Sequence, residues 1–244
     1  MEGRLIVLFA TLTVFVASGV QGTSHLSFSN NTEVNITRDG CGPLKLCLDN
    51  PTGCDPSTNG NCLFVSFAIK AFFLPNRADL TIDLRGNVQS PGYVAMGATL
   101  ADGSTSLFVC AHNGSANATF FRTLSRNNSS NPFMPAETRV TGIRVMLKGD
   151  VIRCEFDIPG VTVNQNRITI STNPTITAGS GVVTADGGIG QFIATLNQRV
   201  NLTSAAASQW SSWKVKSLDF LFGESKDKAG PSYFQSPCTL QGPQ

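Results

Sequence analysis

The clearest pattern in the chain is a side-chain period of two. Ile152, Cys154, Phe156 and Ile158 alternate with Arg153, Glu155 and Asp157, and Leu80, Ile82 and Leu84 alternate with Thr81 and Asp83. Successive side chains of a strand point to opposite faces, so this spacing puts the apolar set on one sheet face and predicts the three charges in water. Further strands are predicted over Cys62 to Ala71, Tyr93 to Thr99, Leu107 to His112, Thr119 to Thr123, Thr138 to Leu147, Arg167 to Ser171 and Gln191 to Leu196. Turn sequences such as Pro91-Gly92, Asp102-Gly103 and Pro159-Gly160 separate many of these runs. Lys148-Gly149-Asp150 lies between two of them and predicts a β-hairpin. Residues 173–190 are rich in Gly, Ser and Thr and predict an exposed, mobile connection. Strands this short and numerous, with no long helical period after residue 22, predict an all-β antiparallel β-sandwich of two sheets. The sandwich is placed at residues 39–202, and residues 203–244 form a partly ordered C-terminal extension with one more strand, Val215 to Phe222.

The first residues follow a different pattern. Arg4 precedes an apolar run of 13 residues, Leu5 to Ala17, followed by Val20 and Gly22 at the small positions of a cleavage site. A membrane-spanning helix needs about 20 apolar residues, so residues 1–22 are predicted to be a signal peptide, leaving 222 residues secreted into the extracellular space. Asn30, Asn35, Asn113, Asn117, Asn127, Asn128 and Asn201 each begin Asn-X-Ser/Thr without an intervening proline. In a chain with a leader these predict a glycoprotein with those asparagines at the surface, including a short glycosylated extension at residues 23–38. Asn127 and Asn128 overlap, so one glycan is expected for the two. No later segment resembles a membrane span, and the polar end of the chain lacks the hydrophobic tail of a lipid-anchor signal. A net charge of +2 with 14% charged residues argues against nucleic-acid binding.

Cysteines agree with an oxidising compartment. Four of the seven, Cys41, Cys47, Cys54 and Cys62, fall within 22 residues rich in Gly, Pro and Asn. Their spacings of five, six and seven intervening residues are wider than those of zinc knuckles, so disulfides are predicted and no metal site. Cys110 and Cys154 lie on predicted core strands and are the first choice for a bridge. The cluster can then close on itself in three ways, or send one arm to Cys238. With the cluster closed, Cys238 is the odd thiol, and a disulfide-linked dimer is the expectation that follows.

Asp39-Gly40-Cys41-Gly42 followed by Cys47, Cys54 and Cys62, then Gly92-Tyr93-Val94-Ala95-Met96-Gly97, resembles the pattern of DOMON domains. Leu107-Phe108-Val109-Cys110-Ala111 and Val151-Ile152-Arg153-Cys154-Glu155-Phe156 strengthen the match. The arrangement is most similar to the extracellular DOMON domain of the ferric-chelate reductase 1 group, over about residues 39–200. The resemblance implies an immunoglobulin-like β-sandwich that binds haem or sugar, without the membrane cytochrome found in larger relatives. Haem-binding members use a methionine and a histidine as axial ligands, the methionine between the glycine-rich strand and the strand of Cys110. Here that interval, residues 98–106, has none, and the chain has only two histidines, His25 and His112. The candidates for ligands of a haem b are therefore Met96 and His112. The competing expectations are Met96 as core packing between two glycines and His112 as a strand-end residue near solvent.

No catalytic constellation stands out. Cys110 and His112 share a strand face, but an oxidising compartment favours a bridged or inert thiol over a nucleophile. The glycines at 179–190 lack the βαβ context of a dinucleotide site, and Trp210-Ser-Ser-Trp213 lacks the cysteines of a thrombospondin repeat. The expected function is a secreted, glycosylated binding or interaction module for an unknown protein or small ligand, with no cofactor and no catalytic residue. The alternative is a haem-carrying redox domain. Sugar stacking is discouraged by a supply of two Trp and two Tyr.

Overall fold

The computed structural model describes residues 25–200, except 59, 74–76, 115–117, 165–168 and 171–173. The described residues form thirteen strands and no helix, arranged as two sheets. The first sheet runs β1 (Leu26–Phe28), β9 (Val140–Lys148), β10 (Val151–Asn164), β4 (Arg77–Asn87), β3 (Leu63–Phe73) and β2 (Lys45–Asn50), with β11 (Thr169–Ile170) on the far end of β10. The second runs β13 (Ile193–Arg199), β12 (Thr175–Val182), β5 (Gly92–Thr99), β6 (Thr105–His112), β7 (Thr119–Arg126) and β8 (Met134–Pro135). This is a β-sandwich, antiparallel as expected except that β1 pairs with β9 in parallel. The short parallel edge arises because the N-terminal segment lies along the sheet without a hairpin to reverse it.

Between the sheets, Val65, Ile82, Leu84, Ile152 and Phe156 pack against Val94, Met96, Phe108, Phe121 and Ile176. Phe156 stacks on Phe108 at 5.4 Å between ring centroids and meets Phe121 edge-on at 5.0 Å. A disulfide from Cys110 on β6 to Cys154 on β10 crosses this core and ties the sheets together. The hairpin at Lys148-Gly149-Asp150 forms as its sequence predicts. Val151 pairs with Lys148, and Gly149 takes φ +59°, where a side chain would be strained.

The cysteine-rich segment closes as Cys41–Cys47 and Cys54–Cys62. It contributes β2 and covers the outer face of the first sheet, where Val34, Ile36, Cys62 and Phe64 form a separate apolar cluster. The expectation that the charges of β10 face water is corrected: Arg153, under this covering, is 7% exposed, and Asp157, enclosed by side chains of the neighbouring strands, 9%. Arg153 donates to the Ser57 carbonyl at 3.1 Å, and Asp157 accepts from Lys70 at 2.5 Å and Thr81 at 2.6 Å. Glu155 pairs with Arg144. Period two located the face correctly, but cannot say whether another segment lies over it.

Residues 173–190 are also corrected. The expected mobile connection contains β12, seated between β5 and β13 with Ile176 and Ala178 in the core. Its glycines answer to packing. A Cβ at Gly179 would lie 1.9 Å from the Ile193 carbonyl oxygen, and one at Gly181 would lie 2.5 Å from the Tyr93 ring. The expected strand Val215 to Phe222 lies outside the described residues.

Candidate functional site

Alternation along β5 and β6 sends Val94, Met96, Phe108 and Cys110 inward, and Tyr93, Ala95, Leu107 and Val109 to the outer face of the second sheet. That outer face is not flat. Residues 131–135 rise beyond β7 on one side and residues 189–194, running into β13, on the other, bounding a groove of about 800 Å³. The volume falls in the range of small-molecule sites, roughly 300–1,000 Å³. Leu107, Leu124 and Tyr93 line its floor, and Phe133 and Phe192 contribute from the two walls.

Polar groups enter from β7 and from the sheet floor. Arg122 and Arg126 stand on the same face of β7 and both line the groove. Arg122 lies over the Phe120 ring at 4.9 Å from its centroid, and Arg126 over the Phe133 ring at 4.5 Å. Arg126 also donates to the Ser129 carbonyl at 3.3 Å, while its buried Nε has no hydrogen-bond partner among the described residues. On the floor, the Thr99 and Thr105 hydroxyls are 3.0 Å apart.

Tyr93 joins the floor to one wall. Its hydroxyl donates to the Gly190 carbonyl at 3.0 Å, and burial pushes its pKa up to about 12. Because the folded protein holds this proton more tightly than the unfolded chain, the contribution is complete below about pH 10 and is lost as pH rises toward 12. Absorbance titration of tyrosinate is expected to show one delayed ionisation that disappears in Tyr93→Phe. A wild-type curve fitted by a single pKa near 10 would contradict a buried Tyr93.

Met96 and His112 are not brought together. Met96 is 1% exposed in the closed core and pairs with Phe108, while His112 ends β6 opposite Gly92. Four residues along β5 separate the two positions, roughly 13 Å at strand rise, with the Val94–Cys110 pair between them. His112 is 4% exposed, which corrects its expected place near solvent. The chain at residues 90 and 114 folds back over it: the Gly114 amide donates to Nδ1 at 3.3 Å, and the Ser90 hydroxyl lies 3.4 Å from the same atom. These positions do not form a joint axial pair for a haem, and the lining of the outer groove includes no methionine, histidine or cysteine. Cys110 is bridged and so is no nucleophile.

Asn30, Asn35, Asn113, Asn127 and Asn128 are exposed. Asn117, Asn201 and Cys238 lie outside the described residues. Among the described residues, no group of three metal-ligating side chains converges and no helix is long and apolar enough to cross a membrane.

The chain has distant relatives among ferric-chelate reductases over a little more than half its length. It is 25% identical over 149 residues to a Danio rerio protein provisionally named ferric-chelate reductase 1, a match covering 60% of this chain and 25% of that protein. It is 24% identical over 139 residues to ferric-chelate reductase 1 of Homo sapiens, covering 54% of this chain and 21% of that protein. The chain thus matches a quarter or less of the length of these curated relatives. No family model matches the chain. No solved structure matches it.

Proposed function

We propose that the protein is a secreted, glycosylated binding module of DOMON type, which takes a ligand into the groove on the outer face of its second sheet. The observation that carries this is the groove itself: an apolar floor between two raised walls, with a few placed polar groups. Reductase activity belongs by name to relatives of which this chain matches a quarter or less, and no reaction is assigned to it here. A haem-carrying role is the less favoured alternative, since Met96 is enclosed and four positions along the strand from the partner of His112.

Ala194 is exposed on the groove's rim, so a bulky side chain there fills the groove without entering the core. Titration with the neutral fluorophore N-phenyl-1-naphthylamine is expected to show saturable binding that Ala194→Trp abolishes while the melting temperature stays unchanged. Binding that survives Ala194→Trp would place the ligand elsewhere and overturn the assignment.

A further inference from the structure

Charge is distributed unevenly over the two sheets. The ion pairs among the described residues, Arg38–Asp49, Lys45–Asp83, Lys70–Asp157 and Arg144–Glu155, all lie on the first sheet or the segment covering it. On the outer face of the second sheet, Arg122 and Arg126 line a groove that includes no acidic residue. Asp186, in the neighbouring turn, feels Arg122 only weakly; its carboxylate is held below the usual range chiefly by the Thr184 hydroxyl and the Gly188 amide. It forms no ion pair with either arginine among the described residues.

Each guanidinium rests on a phenylalanine face. That arrangement leaves its in-plane N–H groups as donors and its far face as a stacking surface. The buried Nε of Arg126 is a donor without an acceptor among the described residues, as is that of Arg85, and beside the groove it is placed to be completed by water or a ligand. The walls and floor beside these donors are apolar and partly aromatic, through Phe133, Phe192 and Leu107.

We infer that the groove is selective for a small organic anion: a flat, largely apolar body between the Phe133 and Phe192 walls, with a carboxylate or sulfonate drawn by the positive charge of Arg122 and Arg126. The inference rests on the groove being the ligand site. An anion in this setting gains charge-assisted hydrogen bonds from a guanidinium and the attraction of the second positive charge, where a neutral ligand of the same shape gains only contact.

Two probes share one aromatic body, N-phenyl-1-naphthylamine and its sulfonated analogue 1-anilinonaphthalene-8-sulfonate. Fluorescence titration of the folded, disulfide-intact protein is expected to show at least tenfold tighter binding of the sulfonate. Arg122→Gln and Arg126→Gln are each expected to weaken the sulfonate by about tenfold and leave the neutral probe unchanged. Arg122 is exposed, so R122Q alone keeps the test valid if R126Q disturbs the fold. Equal affinities for the two probes, or sulfonate binding indifferent to R122Q, would overturn anion selectivity while leaving the groove as the site. Failure of both probes to bind, or binding of both unaffected by Ala194→Trp, would overturn the groove and the inference together.

Discussion

Replacing Arg85 with alanine is expected to lower the unfolding free energy by about 3–5 kcal/mol. Arg85 sits on β4 beneath the cysteine-rich segment and is 0% exposed. Its guanidinium donates to the carbonyls of Cys62, Thr58 and Gly60 and to the Asn87 side chain, so it holds the Cys54–Cys62 loop onto the sheet. Burial, reinforced by neighbouring Arg153, makes its proton less tightly held than usual, though an arginine stays charged. The alanine variant removes the donors and leaves the buried Cys62 carbonyl without this partner, a larger loss than the net worth of that bond itself. Urea unfolding measures the change, and hydrogen exchange should show the 54–62 loop opening first. Arg38→Ala supplies the contrast, because Arg38 is surface-exposed and its pair with Asp49 is expected to contribute at most about 1 kcal/mol. A loss below 1 kcal/mol for Arg85→Ala would mean that the disulfide, not the arginine, secures the loop.

The second large effect concerns the bridge between the sheets. Cys110 and Cys154 are 44 residues apart in sequence, and the chain-entropy estimate for a loop of that length is about 4 kcal/mol. Cys41 and Cys47 are six apart, for which the same relation gives about 2 kcal/mol. The double variant Cys110→Ala/Cys154→Ala is therefore expected to lose about twice as much stability as Cys41→Ala/Cys47→Ala. Both cysteines of the first pair are 0% exposed, so the truncation adds a small packing loss in the same direction. Equal losses for the two double variants would indicate that the core alone holds the sheets face to face.

Most of the sandwich was legible because its strands carry local signals. The alternation at 152–158 and 80–84, the Gly149 turn and the uninterrupted apolar runs Gly92–Gly97 and Leu107–Ala111 each produced a strand or a hairpin. What failed was non-local. β12 was hidden because its glycines, required by Tyr93 and Ile193 on neighbouring strands, look from within the segment like those of a loop. The burial of Arg153 and Arg85 depends on carbonyls contributed by residues 57–62, which no periodicity within β4 or β10 can signal.

The groove leaves one trace in the sequence. Gly92–Thr99 and Thr105–His112 are buried on both faces, so something had to lie on each side of that sheet. Met96 lies on the inner face. The groove lies on the reverse of the same strand, where Tyr93 points, and its two arginines, Arg122 and Arg126, flank Leu124 on the face of β7 opposite the inward-facing Phe121. Its walls are largely loops that run into β8 and β13, and the sequences at 131–135 and 189–194 say nothing of their height above the sheet.

The proposed function requires that a ligand be received on the outer face of the second sheet. Methyl-resolved NMR during titration with 1-anilinonaphthalene-8-sulfonate reads that directly, because Leu107, Leu124, Ile189 and Ala194 line the groove while Val94, Met96 and Ile176 lie in the core behind it. Saturating shifts at the first four methyl groups with the last three unmoved is the predicted result. Shifts centred on Met96 and its core neighbours would place the ligand between the sheets and contradict the outer groove as the site.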